Sequence, residues 1–253
     1  MKKTWKNLLC TVLLGATAAT GSAQASVVID NTRVIFRGGE REVTIKLTNQ
    51  GNASALVQTW IDKGDPDSSP DKIDVPFTLT PTMFRLDPKK GQTLRMIYTK
   101  EPLAQDRETL FWLNVLEVPP KATDEESGEN RLQLAFRTRI KVMFRPKGLA
   151  GESIEAPAQV TWRVVPGKDG HGYALKGENP TPYFVNFGEL SVKTRGNSYE
   201  AGNGFIPPMG SETFPIEKLT QQPDAAAEVD YLAINDYGAG MTGKRALTAP
   251  AAR

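Results

Sequence analysis

Few residues in the chain have the side chains and spacing that nucleophilic or metal-dependent catalysis needs. The only histidine is His171, in a Gly-His-Gly segment typical of a turn tip, and the only cysteine, Cys10, lies in the N-terminal segment predicted below to be removed. This set provides no setting for Cys/His or Ser/His/Asp catalysis and too few ligands for the usual zinc sites. The 29 Asp and Glu residues contain some close pairs, but no pair is singled out for glycoside hydrolysis. The sequence predicts no enzyme, no metal and no cofactor.

A row of cations in segment 132–145 (LQLAFRTRIKVMFR) is the most informative pattern. Strand alternation puts its large apolar side chains on one face and Arg137, Arg139, Lys141 and Arg145 on the other. On this pattern alone, the segment is typical of an ordinary sandwich strand with a solvated basic face. The whole chain has 31 Lys and Arg against 29 Asp and Glu, so its charge gives no reason to expect a nucleic-acid partner.

The elements that must position these cations are also strands. Short alternating runs such as 41–48 (REVTIKLT) are separated by turn clusters such as 49–52 (NQGN), and little of the chain has a helical period. This spacing favours an all-β protein built from antiparallel sandwiches. The Arg-Pro-Lys-Gly segment 145–148 is the best candidate hinge. We therefore predict domains at 26–146 and 147–253, the second with a loose tail after Gly240.

The N-terminal segment has the pattern of a secretory signal peptide. Three lysines precede an apolar run over residues 8–19, and Ala23-Gln24-Ala25 offers small residues for cleavage, which predicts Ser26 as the mature start. The run is shorter than the ~20 residues that cross a bilayer, so no membrane insertion is expected. Removal of residues 1–25 leaves 28 basic against 29 acidic residues, a net charge of −1, and no cysteine. The predicted location is an oxidising compartment outside the cytoplasm, reached without a disulfide to stabilise the fold.

Segment 103–120 (LAQDRETLFWLNVLEVPP) resembles the signature of the PapD-like periplasmic pilus chaperones. Further blocks agree with that family in type and order, and they are 30–33 (DNTR), 140–146 (IKVMFRP), 179–183 (NPTPY) and 234–238 (INDYG). Together the blocks span almost the whole mature chain. The resemblance implies two immunoglobulin-like β-sandwich domains set at an angle with a cleft between them.

The resemblance also implies a function in pilus (fimbrium) biogenesis. A chaperone of this kind binds pilus subunits in the periplasm by donor-strand complementation, caps their assembly edge and delivers them to an outer-membrane usher. In this chain Leu132, Leu134 and Phe136 would be the donor residues that enter the groove of the subunit. An exposed apolar row of this kind also gives the free protein a surface on which a self-capping dimer could form.

Five charged residues match functional positions of the family. Arg33 and Lys141 match the pair of cleft cations that bind the C-terminal carboxylate of the subunit, which would set the register of the added strand. Glu108, Arg145 and Asp236 match an inter-domain salt bridge. Strict alternation places Lys141 on the face opposite the donor residues, so a bulge or strong twist near Thr138 would be needed to align them.

Two other functions are compatible with a secreted sandwich. A pilin or other extracellular structural protein would use the same strand chemistry to self-assemble, and a carbohydrate-active enzyme would turn over a glycan. The loop 121–130 before the long strand is short, which resembles the branch of the chaperone family that serves rod-like pili.

Overall fold

The computed structural model describes residues 26–120, 133–168 and 172–248, and in them it confirms the predicted all-β fold of two sandwiches. The strands are β1 Val27–Ile29, β2 Arg33–Arg37, β3 Glu42–Asn49, β4 Ala55–Asp62, β5 Phe77–Thr80, β6 Met83–Leu86, β7 Gly91–Tyr98, β8 Thr109–Val118, β9 Phe136–Arg145, β10 Thr161–Pro166, β11 Tyr173–Asn179, β12 Val185–Thr194, β13 Asn197–Ile206, β14 Gly210–Ile216, β15 Glu228–Ile234 and β16 Gly240–Ala246. A 3-10 turn at Pro70–Lys72 and a short helix, α1 Ala156–Gln159, complete the described elements. In these residues no helix has the length and apolar character needed to cross a membrane.

The first sandwich packs the sheet β1-β3-β7-β5 against the sheet β2-β9-β8-β4-β6. Alternation explains the packing, because Ile45 and Leu47 of β3 are fully buried while the alternate residues Thr44 and Lys46 are exposed. Aromatic rings fill one end of this core, where Phe77 contacts Phe111 edge-on with ring centroids 5.0 Å apart.

The chain changes sheets near its N-terminus. β1 pairs with β3 in one sheet, and after Asp30–Thr32 the chain enters the other sheet as β2, which pairs with β9. The β2–β9 pair is parallel, whereas the other strand pairs of the described residues are antiparallel. This switch places β2 beside the long cationic strand β9.

β9 begins later than alternation predicted. Segment 132–145 predicted a strand over its whole length, but within the described part the ladder with β8 starts at Phe136, opposite Glu117. Pro119 and Pro120 follow β8 and have no N–H to continue the ladder. The side chain of Gln133 donates to both proline carbonyls instead, at 3.1 and 2.8 Å.

The second sandwich packs the sheet β10-β11-β14 against the sheet β13-β12-β15-β16. Its core is centred on Trp162, which is 1% exposed and meets the ring of Phe187 at 5.3 Å. Phe144 is the last described residue of the first core and Ala156 the first of the second. The exact domain boundary at 146/147 stays a prediction.

The predicted loose tail after Gly240 is wrong for residues 240–246. These residues form β16, an edge strand that pairs with β15 over its whole length. Glycine and exposed polar residues obscured it, because an edge strand has few buried apolar positions. Gly243 faces Tyr231 so closely that a Cβ atom would lie 2.3 Å from the Cζ atom of the ring, so the tyrosine covers the glycine backbone.

This contact predicts that Gly243→Ala destabilises the second sandwich. The added methyl group displaces Tyr231 from the core, and we expect the free energy of unfolding to fall by about 1–3 kcal/mol in urea titrations. The exposed neighbour Thr242→Ala is the matched control and should change it by less than about 0.5 kcal/mol. Equal effects of the two substitutions would contradict the proposed packing.

Candidate functional site

The parallel pairing of β2 with β9 places Arg33 directly opposite Lys141. The two residues are far apart in the sequence, and only the sheet change before β2 brings them together. Both are partly buried and both point toward the second sandwich, where each finds a hydrogen-bond acceptor. The structure thus brings the two predicted anchor residues into one cationic site.

Lys141 is a cation without an acidic partner among the described residues. Its ammonium group donates to Oδ1 of Asn186 in β12 and lies 4.3 Å from the ring centroid of Phe205. Burial and then the charge of Arg33 lower the pKa of Lys141 to about 8. An anion bound here would offset both effects.

The hydrogen-bonding capacity of Arg33 is also only partly used. Its Nη1 donates to the carbonyl oxygen of Ile234 at 3.1 Å, and its Nε is buried with no hydrogen-bond partner in the described part of the chain. Burial lowers the pKa of Arg33, and the charge of Asp236 offsets this only in part. A buried donor without a partner costs about 1–3 kcal/mol, so this group also favours an added acceptor. The pair therefore has the chemistry of an anion receptor.

Arg145 lies on the same face of β9 as Lys141 but is fully neutralised. Its Nε donates to Glu108 at 2.6 Å, and its Nη1 and Nη2 donate to the two carboxylate oxygens of Asp236 at 2.7 and 2.8 Å. Glu108 also accepts from the backbone N–H of Phe184 at 2.7 Å. The predicted salt-bridge residues thus meet, and they link the first sandwich to the second.

Burial acts in the same direction on the two acids of this network, but their net pKa shifts differ. Burial raises the pKa of Glu108, against the opposing charge of Arg145. Burial also acts to raise the pKa of Asp236, but the hydrogen bonds and charge of Arg145 outweigh it and hold that pKa below its usual value. Ser153 donates a further hydrogen bond to Asp236 at 3.0 Å. Asp236 therefore stays ionised and keeps Arg145 in place.

The two predicted donor residues that the structure describes lie at the open end of β9. Leu132 lies outside the described residues, Leu134 precedes the strand and is 46% exposed, and Phe136 is its first residue and half-buried. β2 covers only residues 141–145 of β9, so residues 136–140 form a free edge of the described sheet.

The bulge considered near Thr138 is absent from the described ladder. The pairing of β8 with β9 runs from Thr109–Phe144 to Glu117–Phe136 without a register shift. Lys141 therefore points to the face opposite Phe136, and Phe136 shares the core-facing side of β9 with Ile140. A single ligand would have to follow the strand edge to reach both groups.

A second group of residues on this face was missed by sequence reasoning. Asp62 in β4 is buried and accepts from Nη2 of Arg139 at 2.8 and 3.0 Å. The guanidinium group of Arg137 lies 4.7 Å from the ring centroid of Trp60, and that of Arg139 lies 5.0 Å from the ring of Trp112. The basic face of β9 is thus partly covered, not fully solvated as its alternation suggested.

Asn114 in β8 connects Asp62 of β4 to Arg137 of β9. Its Oδ1 accepts from Nε and Nη2 of Arg137 at 2.9 and 2.7 Å, and its Nδ2 donates to Asp62 at 2.6 Å. The sequence did contain a signal for this group, because Trp60 and Trp112 fall at positions of β4 and β8 where strand alternation places polar residues. Two tryptophans out of phase on neighbouring strands indicate that the outer face is covered there. We call these six residues the arginine–tryptophan ladder, and its members are Trp60, Asp62, Trp112, Asn114, Arg137 and Arg139.

The arginine–tryptophan ladder predicts that Asp62→Asn destabilises the first sandwich. The substitution leaves Arg137 and Arg139 with no carboxylate, and we expect the free energy of unfolding to fall by about 1–3 kcal/mol. Asp74→Asn is the matched control, because Asp74 pairs with Lys63 on the open surface and should contribute less than about 1 kcal/mol. Chemical denaturation of both variants measures the difference, and a null result for Asp62 would exclude a stabilising ladder.

Two family profiles match the chain. Residues 26–150 match "Pili and flagellar-assembly chaperone, PapD N-terminal domain", and residues 155–245 match "Pili assembly chaperone PapD, C-terminal domain". This agrees with the resemblance inferred from the motifs. The matches cover both sandwiches, so neither a self-assembling pilin nor a carbohydrate-active enzyme accounts for the chain as well as a non-enzymatic chaperone family does.

Individual relatives agree with the profiles. The chaperone protein FimB/FhaD of Bordetella pertussis is 43% identical over 245 residues, which are 94% of this chain and 96% of that protein. The probable fimbrial chaperone YadV of Escherichia coli K12 is 41% identical over 232 residues, or 91% of this chain and 93% of that protein.

Solved structures show the same fold. A crystal structure of the YadV chaperone superposes with a TM-score of 0.76 at 39% identity and covers 88% of this chain and 100% of that one. The structure of the Salmonella enterica SafA pilin in complex with the SafB chaperone contains a chain that matches with a TM-score of 0.72 at 28% identity. The match covers 90% of this chain and 99% of the matched chain. The chain therefore belongs to the PapD-like family of periplasmic chaperones for pilus assembly.

Proposed function

We propose that this chaperone holds a pilus subunit by adding β9 to the incomplete fold of that subunit. The observation that supports the proposal is a free strand edge ending at a pair of unneutralised cations. Residues 136–140 offer backbone groups on the side that β2 leaves open, and strand addition needs such an edge. The matched SafA–SafB structure contains a pilin with its chaperone, which supports a pilin as the partner here.

Leu134 and Phe136, together with Leu132, are proposed as the side chains that enter the groove of the subunit. Leu134 is one of the most exposed large apolar side chains of the described residues, at 46%. Full burial of such a side chain contributes about 1.5–3 kcal/mol. The absence of a bulge does not conflict with this role, since the subunit would follow the edge of β9 and not one of its faces.

Arg33 and Lys141 are proposed to bind the C-terminal carboxylate of the subunit. Both are partly buried, and Nε of Arg33 lacks a partner in the described chain. A carboxylate has two oxygens and would accept charge-assisted hydrogen bonds from both cations. Residues 136–140 directly precede Lys141 on β9. An anchored terminus would therefore fix which residue of the subunit meets each donor side chain.

Glu108, Arg145 and Asp236 are proposed to hold the two domains at the separation that the anchor requires. Lys141 belongs to the first sandwich, yet its contacts Asn186 and Phe205 belong to the second. The anchor therefore depends on how the sandwiches meet, and Arg145 fixes that contact four residues farther along the same strand.

Two further steps belong to the proposed function. We propose that the loaded chaperone delivers its subunit to an outer-membrane usher, and that the free edge of β9 is capped by a second copy when no subunit is bound. The loop 121–130, used above to favour rod-like pili, lies outside the described residues.

Co-purification tests this function. The chain, exported with candidate subunits from its own genome, should yield a one-to-one complex, and Lys141→Ala should reduce the yield of complex at least tenfold. Lys46→Ala removes an exposed lysine of β3 and should leave the yield unchanged. If folded wild-type protein recovers no subunit, strand donation is wrong, and a complex that tolerates Lys141→Ala rejects the anchor alone.

The anchor also predicts a pH dependence. Because the pKa of Lys141 is lowered to about 8, the free site loses its ammonium charge above that pH, and a carboxylate then binds only by restoring the proton.

We expect the affinity for a peptide copy of the C-terminal strand of the subunit to fall about tenfold between about pH 7 and about pH 9. Lys141→Arg keeps its charge over this range and should bind without that fall. A C-terminally amidated peptide should show no pH dependence, and a fall that persists with the amide would reject carboxylate binding.

A further inference from the structure

Glu117 is an acid on the core-facing side of β8. It follows Phe111, Leu113 and Val115 at strand spacing, and like them it is buried, with 7% of its surface exposed. An ionised carboxylate in such a position is costly unless charge or hydrogen bonds compensate it. Glu117 belongs neither to the proposed subunit site nor to the inter-domain salt bridge.

The described partners of Glu117 come from the first residues of the mature chain. Its Oε1 lies 3.3 Å from the backbone nitrogen of Ser26 and also accepts from the Ser26 hydroxyl. Its Oε2 accepts from the backbone N–H of Val27 at 2.9 Å. Both carboxylate oxygens are therefore directed at the start of β1.

Ser26 is held in place from its other side as well. Its carbonyl oxygen accepts from the N–H of Gln50 at 2.7 Å, and Val27 pairs with Asn49 in the sheet. Gly51 leaves room for it, since a Cβ atom at that position would lie 2.5 Å from the Cβ of Ser26. These contacts hold the nitrogen of Ser26 in a defined position.

The chemistry of this nitrogen depends on processing. In the full chain it is a neutral amide, but cleavage between Ala25 and Ser26, as the signal-peptide pattern predicts, converts it to an α-ammonium group. The match to the family's N-terminal domain also begins at residue 26. Cleavage would therefore place a positive charge about 3.3 Å from a buried carboxylate oxygen.

We propose that Glu117 is a receptor for the α-ammonium group of the processed chain, so that removal of the signal peptide creates an ion pair that fastens β1 to β8. This inference depends on cleavage after Ala25 but not on which subunit the protein binds. The residues packed around the pair are neutral on β1, on β4 at Val57 and on β9 at Phe136. The charged residues of the neighbouring turn are Asp87, Lys89 and Lys90. The Lys89 ammonium donates to the carbonyl of Gln50, and Asp87 accepts from Ser54 and Arg85.

The position of this ion pair connects it to the strand edge. Glu117 is the ladder partner of Phe136, the first residue of β9. Beyond this pair the chain leaves the sheet toward Leu134. The processed N-terminus is thus held at the place where the proposed donor segment separates from the core.

Two measurements test the proposal. The first is the pKa of the α-amine of the mature protein, from the pH dependence of amine labelling followed by mass spectrometry of the N-terminal peptide. An exposed α-amine has a pKa of about 7.7–8.0, and we expect a value at least about one unit higher, because the carboxylate favours the charged form. This measurement needs no variant and so does not depend on whether a variant folds.

The second measurement compares proteins that begin at Ser26 and at Ala25, each with and without Glu117→Gln. Near pH 7 the Ser26 protein should have an unfolding equilibrium constant at least about tenfold smaller than the Ala25 protein, and Glu117→Gln should remove the difference. Since the folded-state pKa of the amine is raised, this stabilisation is present below about pH 8 and is lost as the pH rises through the raised value.

Three outcomes would overturn the inference. They are a periplasmic protein whose first residue is not Ser26, an α-amine that titrates in its ordinary range, and a tenfold difference that survives Glu117→Gln. Subunit capture is measured separately, so failure of this inference is distinguishable from failure of the proposed function.

Discussion

The short parallel pairing of β2 with β9 is the constraint on which the rest of the binding site depends. It aligns Arg33 with Lys141, and because β2 begins at Arg33 it leaves residues 136–140 of β9 without a neighbour on that side in the described sheet. A longer β2 would cover the edge, and an antiparallel one would not bring these two cations opposite each other. The sheet change between β1 and β2 therefore creates both the cationic site and the open edge in one step.

Two cations on one face of β9 have opposite roles because their surroundings differ. Arg145 is surrounded by Glu108 and Asp236, and its donors are occupied, so it serves as a joint between the sandwiches. Within the described residues, Lys141 meets only a neutral amide and aromatic rings, with Arg33 as its charged neighbour. The first arrangement is complete in the free protein, whereas the second gains most when an anion arrives. Charge compensation thus distinguishes the residue that joins the sandwiches from the residue proposed to bind the subunit.

Alternation in the sequence was sufficient to predict the all-β fold and most strands, because half-buried strands impose a period of two. It failed for β16, where Gly243 is covered by Tyr231, and at the start of β9, where two prolines end the ladder of β8. The predicted charged site residues came from resemblance in motifs, since spacing alone does not bring Arg33 to Lys141. The arginine–tryptophan ladder was missed because its contacts join three strands, and a pattern within one strand cannot show what its outer face touches.

The free edge of β9 also bears on how many different subunits one chaperone can serve. A strand added at residues 136–140 would be held mainly by main-chain hydrogen bonds, which are the same for every amino-acid sequence. Selectivity would then rest on a terminal carboxylate, which every polypeptide carries, and on a few apolar pockets. Such a surface distinguishes an unfinished fold from a finished one more sharply than it distinguishes one subunit from another. We therefore expect broad tolerance of subunit sequence, with the choice among subunits made elsewhere in the assembly pathway.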